Sequence, residues 1–181
     1  MKKHTATLVL LLAVFGLSGC PIATITESFE YDVLEERNDG NPFDLTGQGG
    51  WSDVIDFSSD ETFEDNKDKI DEIDRVTFRG AMYTLNDSDA TVDIFFRAVP
   101  EAGDPTPPWM AILEGLSVPG TTDADSQFEI TYEASEPLIQ NFTQFQKLAK
   151  GGVMELALMA RTGNDQVLVT KLIVYVALSG G

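Results

Sequence analysis

Oxygen-bearing side chains gather in three places along the sequence, and each gathering is a candidate cation site. Asp39-Gly40-Asn41 and Asn86-Asp87-Ser88-Asp89 are short polar clusters, and the stretch 53–74 carries ten acidic side chains in 22 residues. Calcium takes about six to eight oxygen ligands from carboxylates, amides and carbonyls. The candidate calcium ligands are therefore Asp39, Asn41, Asp87 and Asp89. None of the clusters has EF-hand spacing. Because Asp and Asn also favour turns, and acidic runs usually form solvated surfaces, ordinary turns are the competing interpretation.

Two tryptophans follow loop-like segments, and Trp51 is the candidate for sugar binding. Trp51 comes after the glycine-rich turn Gly47-Gln48-Gly49-Gly50, and an aromatic ring at the rim of a β-sandwich can stack on a sugar. Trp109 leads directly into the apolar segment 110–113, which predicts a core position for it. Trp51 and the oxygen clusters together make a Ca²⁺-dependent carbohydrate-binding module one candidate function.

Outside its first twenty residues the chain has no histidine or cysteine, the side chains on which many catalytic mechanisms depend. The chain has one histidine, His4, and one cysteine, Cys20. It has neither a Gly-x-Ser-x-Gly elbow nor a phosphate-binding glycine loop with lysine. Thirty acidic side chains allow a glycosidase-like carboxylate pair, but no local motif singles out two of them. A non-enzymatic role is therefore favoured, and an acid/base hydrolase ranks behind the carbohydrate-binding module.

The first twenty residues have the layout of an export signal. Lys2-Lys3-His4 is a short basic segment, and residues 5–17 form an apolar run that is short for a membrane-spanning helix. The run ends in Leu17-Ser18-Gly19-Cys20, which resembles the lipobox of bacterial lipoproteins. The resemblance implies that residues 1–19 are a signal peptide and that Cys20 becomes the lipidated first residue. An ordinary signal peptide cut elsewhere would leave Cys20 without a role.

The resemblance also implies that the mature protein is located in the cell envelope. Pro21 rather than Asp follows the cysteine, which in a Gram-negative host indicates the outer membrane. Loss of Lys2 and Lys3 would leave thirty acidic and ten basic side chains, a charge of −20. Such a domain lacks the basic face that nucleic acid needs. It is repelled by anionic headgroups over about 8 Å at physiological salt, so its membrane contact is expected through Cys20. The expected partner is an envelope protein or a glycan, and the oligomeric state is left open.

Residues 20–181 predict one domain that is built mainly from strands. Alternating or continuous apolar patterns predict strands over 75–85, 90–98, 109–113, 127–133, 153–160 and 167–178. The turn cluster at 86–89 predicts that the first two strands form a hairpin. The last strand is apolar on both faces, which predicts a central position in its sheet.

Helical spacing is clear in one segment and weaker in a second. Apolar side chains from Leu138 to Ala149 share one face, with Ser135 as the expected N-cap and Gly151 after the last turn. A weaker pattern predicts a helix over 62–73. Six or more short strands with one packed amphipathic helix predict a mainly β fold. The expected architecture is a single β-sandwich of immunoglobulin-like or jelly-roll type.

Overall fold

The protein is a β-sandwich of two antiparallel sheets, which confirms the predicted fold class. The computed structural model describes residues 25–36, 41–45, 50–70, 72–121, 123–161 and 167–180. The elements in chain order are β1 (Ile25–Asp32), α1 (Val33–Glu36), β2 (Phe43–Asp44), β3 (Trp51–Asp56), α2 (Glu61–Asn66), β4 (Glu72–Thr84), β5 (Ala90–Arg97), β6 (Met110–Val118), β7 (Phe128–Ile130), α3 (Tyr132–Ser135), α4 (Phe142–Ala149), β8 (Val153–Ala160) and β9 (Val167–Gly180).

The five-stranded sheet is built around the last strand. Its order is β1-β9-β4-β7, and β2 pairs with β9 beyond the end of β1. β9 therefore has neighbours on both sides, which confirms its predicted central position. Both of its faces are covered in the middle, because Val174 points into the core and Ile173 on the opposite face is also buried. An apolar run of this kind suits a strand that is enclosed on both faces.

The four-stranded sheet has the order β3-β8-β5-β6, and the core lies between the two sheets. Phe78 from one sheet and Phe96 and Leu156 from the other are fully buried there. Each large apolar side chain contributes about 1.5–3 kcal/mol by leaving water. Helix α4 packs Phe145 into the same core, where its ring lies 5.4 Å from that of Phe96. This confirms one packed amphipathic helix.

The predicted hairpin over 75–98 is wrong. β4 belongs to the five-stranded sheet and β5 to the four-stranded sheet, so the 85–89 turn carries the chain across the core. The turn closes against Gly120, where a Cβ atom would lie 2.5 Å from the backbone carbon of Asp87. Alternation identifies the side chains that face the core, but it is the same for two strands in one sheet and for two strands in opposite sheets.

The segment 127–141 departs from both of its predicted elements. The strand expected over 127–133 ends at Ile130, because the Thr131 hydroxyl accepts the Ala134 N–H at 3.3 Å and starts α3. The expected helix from 138 begins later, at Phe142. Ile139 forms a β-bridge with Leu113, and Asn141 adopts the left-handed conformation, which breaks the helix before α4.

Ser135 is therefore not the N-cap of the long helix but the last residue of α3. The weaker helix prediction over 62–73 is correct only at its start. α2 begins after Asp60, whose carboxylate accepts the N–H groups of Thr62 and Phe63 at 2.9 and 3.2 Å. It ends at Asn66, a short 3-10 turn follows, and β4 already begins at Glu72.

Candidate functional site

The outer surface of the four-stranded sheet carries several apolar side chains among its polar ones, although a sandwich normally presents polar side chains to water there. Ala157 pairs with Phe95 on β5 and with Ser52 on β3, and all three side chains alternate with core positions. Three of the five large hydrophobic side chains exposed in the described residues flank this row, with exposures of 40–46%. We call this surface the apolar face; its members are Val54, Phe95, Ala111, Val153, Ala157 and Met159.

An ion pair crosses one side of the apolar face. The Arg97 Nε atom donates to Glu155 Oε2 at 2.5 Å, and both side chains are 18% exposed. The Arg97 guanidinium also lies 4.1 Å from the centre of the Trp109 ring, a distance typical of a cation–π contact. Both charges are therefore satisfied within the sheet, and the aromatic ring extends the apolar face towards β6.

A second charged group borders the other side of the face. Asp93 is 2% exposed and accepts the Gly115 N–H at 2.7 Å and the Arg161 Nε–H group. Arg161 also donates to Glu114. These contacts, first the hydrogen bond to Asp93, raise the pKa of Arg161. Gly115 has φ +79°, so it forms a bulge in β6 at the point where its N–H reaches the buried carboxylate.

The charges on and beside the apolar face nearly cancel. Arg97 and Arg161 oppose Glu155, Asp93, Glu114 and Asp56, which pairs with Val153, so this surface carries a net charge of −2. The chain as a whole carries −18. The apolar face is thus suited to contact a surface that is itself weakly charged, and it offers little to a strongly basic or acidic partner.

The outer surface of the five-stranded sheet carries a polar cluster around two tyrosines. Glu30, Tyr175 and Thr77 lie in one cross-strand row. The Tyr132 ring of α3 lies 5.5 Å from that of Tyr175, and Thr77 is fully buried although it points away from the core. α3 is held by Ser135, whose hydroxyl accepts the Phe78 N–H at 2.8 Å.

Three buried polar atoms of this cluster lack a hydrogen-bond partner among the residues that the structure describes. They are the Tyr132 and Thr77 hydroxyls and Arg75 Nε. Burial raises the pKa of Tyr132, and the neighbouring Glu30 carboxylate raises it further, although no hydrogen bond of good geometry joins the two groups. Because neighbouring side chains enclose these hydroxyl groups, a ligand can reach them less easily than it can reach the apolar face.

The structure describes three of the four predicted calcium ligands, Asn41, Asp87 and Asp89. Asp89 accepts the Gly120 N–H at 2.8 Å, and Asn86 accepts that of Ser88 at 3.1 Å, so these oxygens shape the turn. Asn41 and Asp87 are exposed. No group of three or more carboxylate, histidine or cysteine side chains that could hold a metal ion exists within the described ranges. Asp39 and Cys20 lie outside them.

The structure places both tryptophans in partly buried positions. Trp51 is partly buried, packs against the core and stacks on Phe43 with ring centres 3.9 Å apart. Only the opposite face of the Trp51 ring could therefore stack on a sugar. The core position predicted for Trp109 is wrong, because its ring is partly exposed and lies under Arg97 at the edge of the apolar face.

The apolar face was not identified from the sequence, although a signal for it exists. In β5 only Phe95 is apolar among the residues between core positions. In β8 these residues include Val153, Ala157 and Met159, so both phases of the alternation are largely apolar. Such strands are usually covered on both faces. Within the described residues, the five-stranded sheet covers the inner face of the four-stranded sheet, and no second layer covers its outer face. The outer face is therefore a candidate contact surface.

Comparisons with known proteins do not place the chain in a family. No protein-family model matches it, and no curated protein matches its sequence. Among solved structures, it is similar to a chain from Desmodium yellow mottle tymovirus at 8% identity, with a TM-score of 0.32 and coverage of 93% of both chains. It is similar to a chain from turnip yellow mosaic virus at 13% identity, with a TM-score of 0.31 and coverage of 99% of this chain and 89% of that chain. Likenesses at these TM-scores carry no argument about function. No helix in the described ranges is both long and apolar enough to cross a bilayer.

Proposed function

We propose that the chain is a lipid-anchored component of the bacterial cell envelope that acts by binding and not by catalysis. The observation that carries the anchor is the motif Leu17-Ser18-Gly19-Cys20 at the end of an apolar leader. Four residues separate Cys20 from Ile25, the first residue of β1. Since an extended chain covers at most about 3.6 Å per residue, an acyl group on Cys20 would hold the start of β1 within about 18 Å.

This short connection predicts which end of the sandwich faces the membrane. Ile25 pairs with Gly180, so the start of β1 and the end of β9 lie together at the anchored end. The strands run from there into the envelope, and the apolar face lies along their sides. In the outer membrane of a Gram-negative host, the domain would thus present this face parallel to the membrane normal.

The binding role is supported by the apolar face. Contiguous apolar patches larger than a few hundred Å² are rare on monomeric soluble proteins and usually mark a contact surface. Val54, Val153 and Met159 expose 40–46% of their surface on one side of a single sheet. The paired charges around them lower the desolvation cost of contact, because Arg97 and Glu155 already satisfy each other. The face is therefore the most suitable docking surface of the described residues.

The anchor is tested by metabolic labelling with an alkyne fatty acid in a bacterial host. The wild-type chain is expected to take up label and to sediment with membranes, whereas the Cys20→Ala variant takes up none. Ser18→Ala is the matched control, because it keeps a small residue at that position of the motif and is expected to label normally. Label that persists in Cys20→Ala would show that the motif is not a lipidation site.

A further inference from the structure

We propose that a groove at the anchored end of the sandwich binds the zwitterionic headgroup of a membrane phospholipid. The groove lies between α4 and the start of β4 and has a volume of about 310 Å³, near the lower end for small-molecule sites. We call it the α4–β4 groove; it is lined by Glu72, Ile73, Thr143, Gln146, Lys147 and Lys150. The proposal rests on the anchor proposed at Cys20, because that anchor brings this end of the domain to a bilayer.

Strand pairing places the α4–β4 groove at the anchored end. Glu72 lies opposite Ser179 of β9, and Thr26 lies opposite the same residue on the other side of β9. Thr26 is the second residue of β1, so the groove begins two strand spacings, or about 10 Å, from the start of that strand. A lipid on Cys20 would therefore keep the groove near the bilayer surface.

The helix that supplies the two lysines is fixed against β4. Gln146 donates from its Nε2 atom to the Ile73 carbonyl, and the neighbouring Phe145 is fully buried in the core. Lys147 and Lys150 are three residues apart, which places them side by side on the helix surface, and both are exposed. Among the described residues, no carboxylate lies within ion-pair distance of the Lys147 ammonium group. A phosphate oxygen can therefore approach it without displacing a partner.

The charges of the α4–β4 groove match those of a zwitterion. Lys147 and Lys150 provide ammonium groups for the phosphate, and the Thr143 hydroxyl in the same groove can donate a further hydrogen bond to it. Glu72, on the β4 side, provides a carboxylate for the cationic amine of the headgroup. Two lysines and one glutamate give the groove a net charge of +1, in a chain whose net charge is −18.

Acidic side chains around the groove favour a headgroup without net charge. Asp74 follows in β4, and Asn66 at the end of α2 donates to Glu27 of β1, which places the acidic α2 at the same end of the domain. These carboxylates repel an anionic bilayer, whereas a zwitterionic bilayer has no net charge to be repelled. We therefore expect phosphatidylcholine to be bound in preference to phosphatidylglycerol.

Lysine footprinting of the full chain tests the proposal. The lipidated chain is placed in phosphatidylcholine vesicles or kept in maltoside detergent, and mass spectrometry measures how fast an amine-reactive reagent modifies each lysine. Lys147 and Lys150 are expected to react at least fivefold more slowly in the vesicles. Lys171 is the control, because it lies in the half of β9 that is distant from the anchored end, and its rate should not change. Equal rates in vesicles and detergent, or equal protection in phosphatidylglycerol vesicles, would overturn the proposal.

Titration of the chain in detergent separates a headgroup from a free anion. The wild type should bind phosphocholine more tightly than inorganic phosphate, and the double variant Lys147→Gln/Lys150→Gln should raise the phosphocholine dissociation constant about tenfold. Glu72→Gln should weaken binding of phosphocholine but not of inorganic phosphate, since only phosphocholine carries a cation. Lys171→Gln is the matched control. Tighter binding of inorganic phosphate by the wild type, or no binding of phosphocholine, contradicts the proposal. Melting temperature is not a suitable measurement, because lysines in a last helical turn also stabilise the helix through its dipole.

A failed anchor and a failed groove give different results. The titration needs no membrane, so it tests the groove even if Cys20 is not lipidated. In that case the Cys20 thiol, the only one in the chain, is coupled to a maleimide-bearing lipid before footprinting. Protection of the two lysines in the coupled chain would support the groove independently of the anchor. Protection only in membranes taken from the host, and not in vesicles of pure lipid, would indicate an envelope protein in the groove and overturn the proposal.

Discussion

Replacing Ser135 by alanine tests whether α3 is fixed to the five-stranded sheet by one hydrogen bond. Ser135 is fully buried, and its hydroxyl accepts the buried Phe78 N–H at 2.8 Å and donates to the Tyr132 carbonyl at 2.9 Å. The Tyr132 carbonyl also accepts the Glu136 N–H, so it keeps one partner in the variant. The Phe78 N–H loses its acceptor and stays enclosed.

The magnitude follows from that one unsatisfied donor. Leaving a buried N–H without a partner costs about 1–3 kcal/mol. The better helix propensity of alanine returns at most about 0.5 kcal/mol. We therefore expect Ser135→Ala to lower the free energy of unfolding by about 0.5–3 kcal/mol. In a domain of this size, this corresponds to a decrease in melting temperature of about 1–12 °C.

Urea denaturation and native-state hydrogen exchange measure the two parts of this prediction. The denaturation midpoint should fall with an unchanged m value, and the Phe78 amide should exchange faster in the variant. Ser117→Ala is the matched control, because Ser117 is exposed on β6 and its loss should change stability by less than about 0.5 kcal/mol. If Ser135→Ala behaves like this control and the Phe78 amide keeps its protection, the reasoning is refuted.

Three further outcomes are expected. Asp93→Ala should lower the free energy of unfolding by about 1–3 kcal/mol in urea titrations, because the Gly115 N–H loses its acceptor. Asp93→Asn keeps an acceptor oxygen and should lose less than half as much; equal losses would contradict this. Tyr132→Phe should leave stability at pH 7 unchanged or slightly higher, since its hydroxyl has no partner in the described part of the chain. Burial raises the pKa of Tyr132 in the folded state, so the wild type should lose stability as pH rises above about 10, and the variant should lose less. Parallel curves of the free energy of unfolding against pH from pH 9 to 11 would contradict this expectation. Millimolar Ca²⁺ should leave the melting temperature unchanged relative to chelator, because no three carboxylate, histidine or cysteine side chains of the described residues are grouped to hold the ion; a clear increase would support the calcium site.

The strands were predictable because alternation reflects burial residue by residue. The bounds predicted for β8, 153–160, agree with the structure, and the central position of β9 followed from its apolar character on both faces. The pairing of β4 and β5 was not predictable in the same way. Their inward side chains meet across the core and not along one sheet, and the 85–89 turn permits either arrangement.

The segment around α3 and the apolar face required tertiary information. The residues from Glu136 to Asn141 have good helical spacing, but Ile139 bonds to β6 and interrupts the helix. In β8 the inward-facing and the outward-facing residues are both largely apolar, which predicts that other elements cover both faces of the strand. Only the sheet order reveals that the outer face is open within the described residues. The exposure of this face is therefore a property of the architecture, because the apolar pattern of β8 is the same whether its outer face is covered or open.

The position of β9 also constrains when the protein can fold. β1, the first strand of the described chain, pairs with β9, the last, and Ile25 lies opposite Gly180. β4 pairs with the other side of the same strand. The five-stranded sheet therefore cannot close until the C-terminal residues have been synthesised, and contacts so distant in sequence form slowly. Closure of the five-stranded sheet is thus expected to be a late and slow step in folding, because it joins the two most distant strands of the described chain.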